Sequence, residues 1–311
     1  MKKTQVLSIL VLTILFGCKS YNNNEIFMFS YFKNNGEDGL HLAYSLDGLK
    51  WEALKNDKSF LIPELSSDKL MRDPCIIKGP DEKFHMVWTV SWNEKGIGYA
   101  NSVDLINWSK QKFIPVMEHE KLTKNSWAPE LFYDEKKEQF LIFWASTVSN
   151  RYIETANQSE GSWNHRMYYT VTKDFETFSK TKIFVEPGYN VIDATISNNE
   201  NSYFMIIKNE TYLPEAKKTL HILFSDNLYD WDVPVSEAIS WNWVEGPTIT
   251  KINEEWVVYF DQYKKGSFGA ISSSNLQKWE DISEKIKFPH GTRHGSIFKV
   301  SKSILSKIED L

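Results

Sequence analysis

A short polar-to-aromatic motif recurs five times along the chain at intervals of about 50 to 70 residues, and this repeat constrains the fold more than any other feature. Each copy contains an Asp or Asn followed by a Leu or Phe, which suits a tight turn pinned by an apolar contact. The repeat therefore predicts five outer hairpins. The copies span 45–51, 102–108, 172–178, 225–231 and 273–279.

A second repeat, aligned on its apolar residues, predicts the innermost strands. Four of its copies are followed by a turn and a strongly apolar segment, at 84–90, 140–145, 203–207 and 256–260. Strands that are apolar on both faces are expected where each sheet packs between two others. The second repeat reads Asp73-Pro-Cys-Ile, Ala128-Pro-Glu-Leu, Asp193-Ala-Thr-Ile, Gly246-Pro-Thr-Ile and His294-Gly-Ser-Ile.

The two ends of the chain complement each other. The last inner strand, at 294–300, has no chain after it to complete a sheet, and the first hairpin has no inner strand before it. Residues 26–51 can supply the missing outer strands, so that both ends share one blade and close a ring with protected edges. We therefore predict an all-β fold, a five-bladed β-propeller formed by residues 26–311. A two-sheet sandwich is the alternative, but it needs no five-fold repeat.

The starts of the inner strands are expected to converge on one mouth of the central channel. Crowded carboxylates repel one another, so one tends to stay protonated while others are ionised. Glycoside hydrolysis needs that division between an acid and a base. The simpler alternative is that these acids cap strands or pair with nearby arginines. The converging positions are Asp73, Ala128, Asp193, Gly246 and His294, preceded by Arg72, Trp127, Ile192, Glu245 and Arg293.

The N-terminal segment predicts export. Lys2 and Lys3 precede an apolar run at 6–16, which is too short to span a bilayer and is typical of a signal peptide. The run ends at Gly17-Cys18, which resembles the bacterial lipoprotein box, although Phe16 is bulkier than that box usually has. We predict a signal peptide at 1–18, a polar tether at 19–25 and a lipid on Cys18, with the protein in the periplasm or on the outer membrane. Cys75 is then the only thiol, which excludes an intrachain disulfide.

Charge excludes one class of partner. The formal net charge is -5, and no block of Lys and Arg is present, which argues against nucleic-acid binding. Aromatic residues make up 14% of the chain, a composition found in carbohydrate-binding clefts and also in ordinary β cores. Trp88, Trp92 and Trp144 lie on or just after second strands and are assigned to the core.

The motifs resemble those of family 43 glycoside hydrolases over essentially the whole mature chain. The resemblance implies that Asp73 is the general base, Glu245 the general acid and Asp193 the residue that orients the acid and tunes its pKa. It also implies an inverting single displacement, with Asp73 and Glu245 roughly 6.5–9.5 Å apart. The motifs are Arg72-Asp-Pro, Trp127-Ala-Pro-Glu, Ile192-Asp-Ala-Thr, Glu245-Gly-Pro and Arg293-His-Gly.

Other residues of these motifs receive less definite roles. His294 is either the ligand, through water, of a central calcium ion of the kind that the family contains, or a buried structural imidazole. Arg72 is expected to bind substrate, and Trp127 to form a wall of the pocket. Arg293 is expected to anchor a sugar hydroxyl or to pair with Asp193 or Asp73. Glu130 competes as a carboxylate, but core hydrogen bonding is its expected role.

The resemblance implies an exo-acting α-L-arabinofuranosidase, or a related furanosidase or β-xylosidase, that acts on plant polysaccharide. We expect a monomer that requires no cofactor for catalysis. The segments 147–166 and 208–218 are candidate rim loops. Two alternatives remain: a carbohydrate-binding propeller without activity, and a retaining hydrolase similar to the fructan-cleaving propellers.

Overall fold

The computed structural model describes residues 25–199 and 202–311. The predicted signal peptide and lipid-bearing Cys18 therefore lie outside the described residues, as does the predicted tether up to residue 24. Glu25, predicted to end the tether, already belongs to the first strand, where it pairs with Ser301. In the described residues, no helix is long and apolar enough to cross a membrane.

The strands form five sheets arranged as the blades of a β-propeller. The chain begins with β1 (Glu25–Tyr31), β2 (His41–Ser45) and β3 (Glu52–Ala53). Blade 1 contains β4 (Arg72–Lys78), β5 (Phe84–Thr89), β6 (Ile97–Ser102) and β7 (Lys112–Ile114). Blade 2 contains β8 (Trp127–Asp134), β9 (Gln139–Thr147), β10 (His165–Thr172) and β11 (Lys182–Val185).

Blade 3 contains β12 (Val191–Asn199), β13 (Ser202–Asn209) and β14 (Leu220–Ser225). Blade 4 contains β15 (Glu245–Ile252), β16 (Glu255–Gln262), β17 (Ser267–Ser273) and β18 (Glu280–Asp281). The last strand is β19 (Ser296–Ser301), and α1 (Lys302–Glu309) follows it. Short 3₁₀ helices span Lys55–Asp57, Ile153–Gln158 and Ser283–Lys285.

The ring closes as the sequence predicts. Blade 5 has the order β19, β1, β2, β3, so that the last strand of the chain is innermost and the first three complete its sheet. β1 and β19 are antiparallel, and Ser30 lies opposite Ser296. Closure within one blade leaves the sheet without a long exposed edge at the point where the chain ends meet.

The outer hairpins have the predicted turn chemistry. In blade 1, Asp104 Oδ1 accepts hydrogen bonds from the backbone N–H groups of Ile106 and Asn107, at 2.9 and 2.7 Å. Leu105 has a φ of 64° and is fully buried. The same arrangement recurs at Asp174 and Asn275, so the repeated motif is a turn that places one apolar side chain between blades.

Four inner strands carry a β-bulge at their starts. Between the pairs Arg72–Thr89 and Cys75–Val87, β4 contains two residues and β5 only one, so β4 carries one extra residue. Equivalent register shifts occur in β8, β12 and β15. The residues at the bulges have φ values of 45° to 56°: Asp73, Ala128, Asp193 and Gly246. Bulges re-aim side chains, and here both Arg72 and Asp73 line the same pocket, although consecutive strand residues normally point to opposite faces.

The inner strands of neighbouring blades belong to separate sheets and are connected by hydrogen bonds to side chains. The N–H of Ile76 donates to Ser296 Oγ at 2.8 Å, and the N–H of Leu131 donates to Cys75 Sγ at 3.4 Å. Cys75 is buried and unpaired, and burial raises the pKa of its thiol. It acts as a hydrogen-bond acceptor between blades rather than as a disulfide partner or a reactive thiol.

Candidate active site

The predicted residues meet in a pocket of about 400 Å³ at the starts of the inner strands. This volume is in the range of small-ligand sites. The residues come from all five blades, because each inner strand contributes its first positions to the same mouth of the ring. The pocket is lined by Arg72, Asp73, Trp127, Asp193, Glu245, Arg293 and His294, among others.

Asp73 is held in its ionised form. Thr89 Oγ1 donates a hydrogen bond to Asp73 Oδ2 at 2.6 Å, and His294 Nε2 pairs with Asp73 Oδ1. Burial disfavours the charged carboxylate, but the charges of His294 and Arg72 outweigh that cost and hold the pKa of Asp73 well below its ordinary value. Asp73 is therefore a proton acceptor at neutral pH.

The pKa of Asp193 is shifted in the opposite direction to that of Asp73. Its Oδ2 accepts a hydrogen bond from the N–H of Gly246 at 3.0 Å, which ties blade 3 to blade 4 beside Glu245. Burial raises the pKa of Asp193 to about 6; the charges of His294 and Lys208 lower it, whereas those of Glu245 and Asp73 raise it. The protonation of Asp193 therefore depends on the charge of Glu245.

Both oxygens of Glu245 contact cations. Arg293 Nη2 donates to Oε1 at 2.8 Å, and Lys208 Nζ donates to Oε2 at 3.3 Å. Burial opposes ionisation, but Lys208, His294 and Arg293 lower the pKa of Glu245 below its ordinary value. Before substrate binds, the carboxyl of Glu245 is therefore charged and fixed in orientation.

Arg293 does not pair with either carboxylate that the sequence suggested. Its Nε donates to Asp261 Oδ2 at 2.6 Å, and its Nη2 donates to Glu245. Asp261 is almost fully buried, at 1% exposure, on β16 opposite Glu245. Arg293 thus connects the candidate acid to a buried acid of the same blade, which occupies two of the donors that could otherwise anchor a sugar.

His294 is a buried imidazole, and its partner is the carboxylate of Asp73 rather than a backbone group. Burial opposes protonation, but Asp73 raises the pKa of His294 to about 9, so that the ring carries a positive charge at neutral pH. The described residues contain no group of three or more His, Cys, Asp or Glu side chains arranged to hold a metal. A calcium ion bound directly by His294 does not fit this arrangement, because an imidazolium has no lone pair to donate; water-mediated calcium binding stays a prediction.

Gly246 is required where His294 packs against blade 4. A Cβ atom at this position would lie 1.7 Å from His294 Nδ1, and the residue has a φ of 56°. Any larger residue would displace the imidazole from Asp73. The Glu-Gly-Pro motif therefore combines the candidate acid with the glycine that admits the partner of the candidate base.

An aromatic wall forms the side of the pocket nearest blades 1 and 2. Trp92 and Trp127 are in edge-to-face contact at 5.2 Å, and Trp163 from the segment 147–166 supports Trp127 at 4.6 Å. Arg72 stacks over Trp92 and over Phe32. The prediction for Trp127 as a wall residue agrees with this geometry, whereas the assignment of Trp92 to the core is wrong, because Trp92 is 39% exposed and lines the pocket. Trp88 and Trp144 are fully buried, as predicted.

The second-strand residues that lie opposite the inner-strand starts are not evident from the sequence. Hairpin register pairs Arg72 with Thr89, Ile192 with Lys208 and Glu245 with Asp261. Thr89 contacts Asp73, Lys208 contacts Glu245, and Asp261 is joined to Glu245 through Arg293. Counting residues outward from each hairpin turn would identify these partners only if the position of the extra bulge residue were known, because the bulge shifts the register by one. Glu210, two residues after Lys208, also lines the pocket, so the segment 208–218 contributes to it as predicted.

Glu130 lines a separate small cavity of about 20 Å³ beside the pocket. The volume accommodates about one water molecule. Burial raises the pKa of Glu130 to about 8, Thr195 lowers it and the charge of Asp193 raises it further. Glu130 is therefore neutral at neutral pH, and it does not line the larger pocket that holds Asp73 and Glu245.

Glu130→Gln is expected to change how stability depends on pH. Folding raises the pKa of Glu130 from about 4.5 to about 8. The folded protein therefore becomes less stable, relative to the unfolded chain, as pH rises between these two pKa values. In that window, the free energy of unfolding of the wild type should fall relative to that of the Gln variant by up to ~1.4 kcal/mol per pH unit. Urea unfolding at several pH values measures this difference. Exposed Glu255→Gln is the control; equal pH dependence of Glu130→Gln and wild type would contradict the assignment.

Comparison with known proteins identifies the family. Residues 22–305 match the sequence profile of a probable glycosyl hydrolase domain related to family 43. The chain belongs to this family. A curated α-L-arabinofuranosidase of Bifidobacterium longum subsp. longum is 22% identical over 160 residues, a match that covers 45% of this chain and 15% of the relative. This chain thus spans a small part of that relative's length.

Solved structures share the fold of this family 43-related chain. A thermostable family 43 glycoside hydrolase has a TM-score of 0.57 with 16% identity, over 72% of this chain and 78% of the other. A family 43 β-1,3-galactosidase in complex with galactodeoxynojirimycin has a TM-score of 0.53 with 14% identity, over 71% and 79% of the two chains. At these identities the similarity establishes the five-bladed fold.

Proposed function

We propose that this family 43-related chain is an inverting, exo-acting glycoside hydrolase that removes terminal pentose from side chains of plant polysaccharide, as an α-L-arabinofuranosidase or a related furanosidase or β-xylosidase. The observation that carries the proposal is the meeting of Asp73, Asp193 and Glu245 in one pocket, where the pKa of Asp193 is raised and those of Asp73 and Glu245 are lowered. Inverting hydrolysis requires one ionised carboxylate and one that supplies a proton.

Asp73 acts as the general base. Its ionised oxygens are oriented by Thr89 and His294, so it can accept a proton from a water molecule as that water attacks the anomeric carbon. The positive charge of His294 keeps Asp73 ionised, which makes it a weak base in the free protein.

Glu245 acts as the general acid. In the single displacement, the bond from the anomeric carbon to the leaving oxygen breaks while the water oxygen bonds to that carbon. Glu245 gives its proton to the leaving oxygen, and Asp73 receives the proton of water. Glu245 is ionised in the free protein, so it must take up a proton before the displacement; Asp193, which contacts the N–H of Gly246 beside it and whose pKa burial raises to about 6, is the source of that proton.

Substrate contacts are assigned to the aromatic wall and to Arg72. Trp127 and Trp92 offer ring faces and edges to a sugar. Arg72 forms a hydrogen bond to Asn35 Oδ1 at 3.0 Å and has no carboxylate partner among the ion pairs of the described residues, so its other donors are available for sugar hydroxyls. Arg293 contributes by holding Glu245. Export as a lipoprotein and the monomeric state stay predictions.

A panel of aryl glycosides tests the substrate proposal. Purified protein is assayed with 4-nitrophenyl α-L-arabinofuranoside, β-D-xyloside, β-D-galactopyranoside and β-D-galactofuranoside. We expect the highest kcat/KM on one of the pentosides. Turnover confined to a hexoside would overturn the pentose assignment but keep the hydrolase. Sugar binding without turnover of any glycoside would favour a carbohydrate-binding propeller.

A further inference from the structure

Lys208 is a buried cation beside the candidate acid. It lies in β13, is 2% exposed, and its Nζ is 3.3 Å from Glu245 Oε2 and 2.6 Å from Glu210 Oε2. The ring of Tyr263 lies 5.2 Å from the ammonium group. A lysine at this depth would ordinarily lose its proton. Although burial opposes the charge, Glu210 and Glu245 raise the pKa of Lys208 well above its ordinary value, so it stays charged.

Glu210 gives Lys208 a support that does not depend on Glu245. Its other oxygen, Oε1, pairs with Lys218, which is 1% exposed. Lys218 in turn lies 3.5 Å from Glu160 in the segment 147–166. The backbone of Tyr212 also donates to Gln158 O at 2.7 Å, so the two candidate rim loops are connected. Glu210, which Lys218 holds in place, thus fixes the Lys208 ammonium group on one side, and Glu245 contacts it on the other.

The two cations of Glu245 have different roles because they touch different oxygens. Arg293 holds Oε1 and is itself fixed by Asp261, whereas Lys208 holds Oε2. A protonated carboxyl cannot direct its O–H at an ammonium group. Protonation of Oε2 therefore requires Lys208 to give up that contact, and Glu210 remains as its partner. The charged and titratable groups around Glu245 are Lys208, Arg293, His294, Asp193, Asp261 and Tyr263.

We propose that Lys208 is a positioning residue for this reaction: it fixes the Glu245 carboxyl against Arg293 and opposes its protonation, and so sets the upper pH limit of turnover. This inference rests on the proposed role of Glu245 as the acid. It follows that the enzyme works best on the acidic side of neutrality. Removal of the Lys208 charge should then extend activity to higher pH while it loosens the acid.

Kinetics of Lys208→Met and Lys208→Arg test the proposal. On an aryl glycoside with a poor leaving group, Lys208→Met should lower kcat roughly 10- to 100-fold with a smaller change in KM, because the acid is less well placed. The basic limb of its pH profile should move upward by about one unit or more. Lys208→Arg should keep the limb near its wild-type position. Lys218→Met is the matched control: it disrupts the same charge chain and should lower Tm, but leave the limb in place.

A titration without substrate separates this inference from the proposed function. With ¹³C-labelled glutamate, the Glu245 carboxyl signal is assigned by its loss in Glu245→Gln and followed against pH. In Lys208→Met it should titrate at higher pH than in wild type. An unchanged titration, or a Lys208→Met variant that only loses Tm, would overturn the role of Lys208. If the titration of Glu245 shifts in Lys208→Met but the wild type hydrolyses no glycoside, the role of Lys208 stands and the proposed hydrolase function is overturned.

Discussion

Glu245→Gln is expected to lower kcat/KM by roughly 10²- to 10⁴-fold on glycosides with a poor leaving group, which is the usual contribution of a general acid. The amide keeps the size of the side chain and can still accept a hydrogen bond from Arg293, but it cannot give a proton to the departing oxygen. A dinitrophenyl glycoside, whose leaving group departs as a stable anion, should lose much less. The dependence on leaving group therefore identifies the acid step.

The control for this variant is Glu255→Gln, an exposed position on the adjacent strand of the same blade. It should retain wild-type kinetics on every substrate. An equal loss on good and poor leaving groups in Glu245→Gln would contradict the role of Glu245 as the acid and would indicate a defect in binding or folding. Melting curves of both variants distinguish those two causes.

Asp73→Asn is expected to lower kcat by roughly 10²- to 10⁴-fold irrespective of the leaving group, because activation of water is needed for every substrate. The change also leaves the His294 ring without its buried carboxylate partner, so Tm should fall. Added azide needs no base to attack the anomeric carbon. It should therefore restore part of the rate and yield a glycosyl azide of inverted configuration.

Rescue by azide shows that the variant is folded and that the missing function is that of a base. Asp226→Asn, at an exposed turn position, serves as the control. Its kcat should equal that of the wild type and should not change when azide is added. Failure of azide to raise the rate of Asp73→Asn, in protein whose circular dichroism matches the wild type, would contradict the assignment of Asp73.

The sequence predicted the ring and its closure because a repeat reports position directly. Aligned starts of inner strands must share one mouth of a propeller, so Asp73, Asp193 and Glu245 could be brought together without coordinates. The turn motif was equally informative, since the Asp104 side chain and the buried Leu105 act within a few residues of each other. Local chemistry and periodicity are properties of the sequence itself.

Partners across strands could not be predicted in the same way. They depend on register, and each bulge shifts the register by one residue. Thr89 and Lys208 are therefore not recognisable from the sequence, and the expected partners of Arg293, which are a sugar hydroxyl, Asp193 or Asp73, include neither Asp261 nor Glu245. Trp92 was placed in the core because nothing in its neighbourhood in the sequence indicates that Arg72 and Trp127 flank it at the pocket.

The stereochemistry of the first product tests the division of roles between Asp73 and Glu245 most directly. Proton NMR is recorded during early turnover of the best aryl glycoside, before mutarotation equilibrates the free sugar. A single displacement predicts that the first sugar released has the anomeric configuration opposite to that of the substrate. Release of a sugar with retained configuration would contradict this mechanism and would instead require a covalent intermediate on one of the pocket carboxylates.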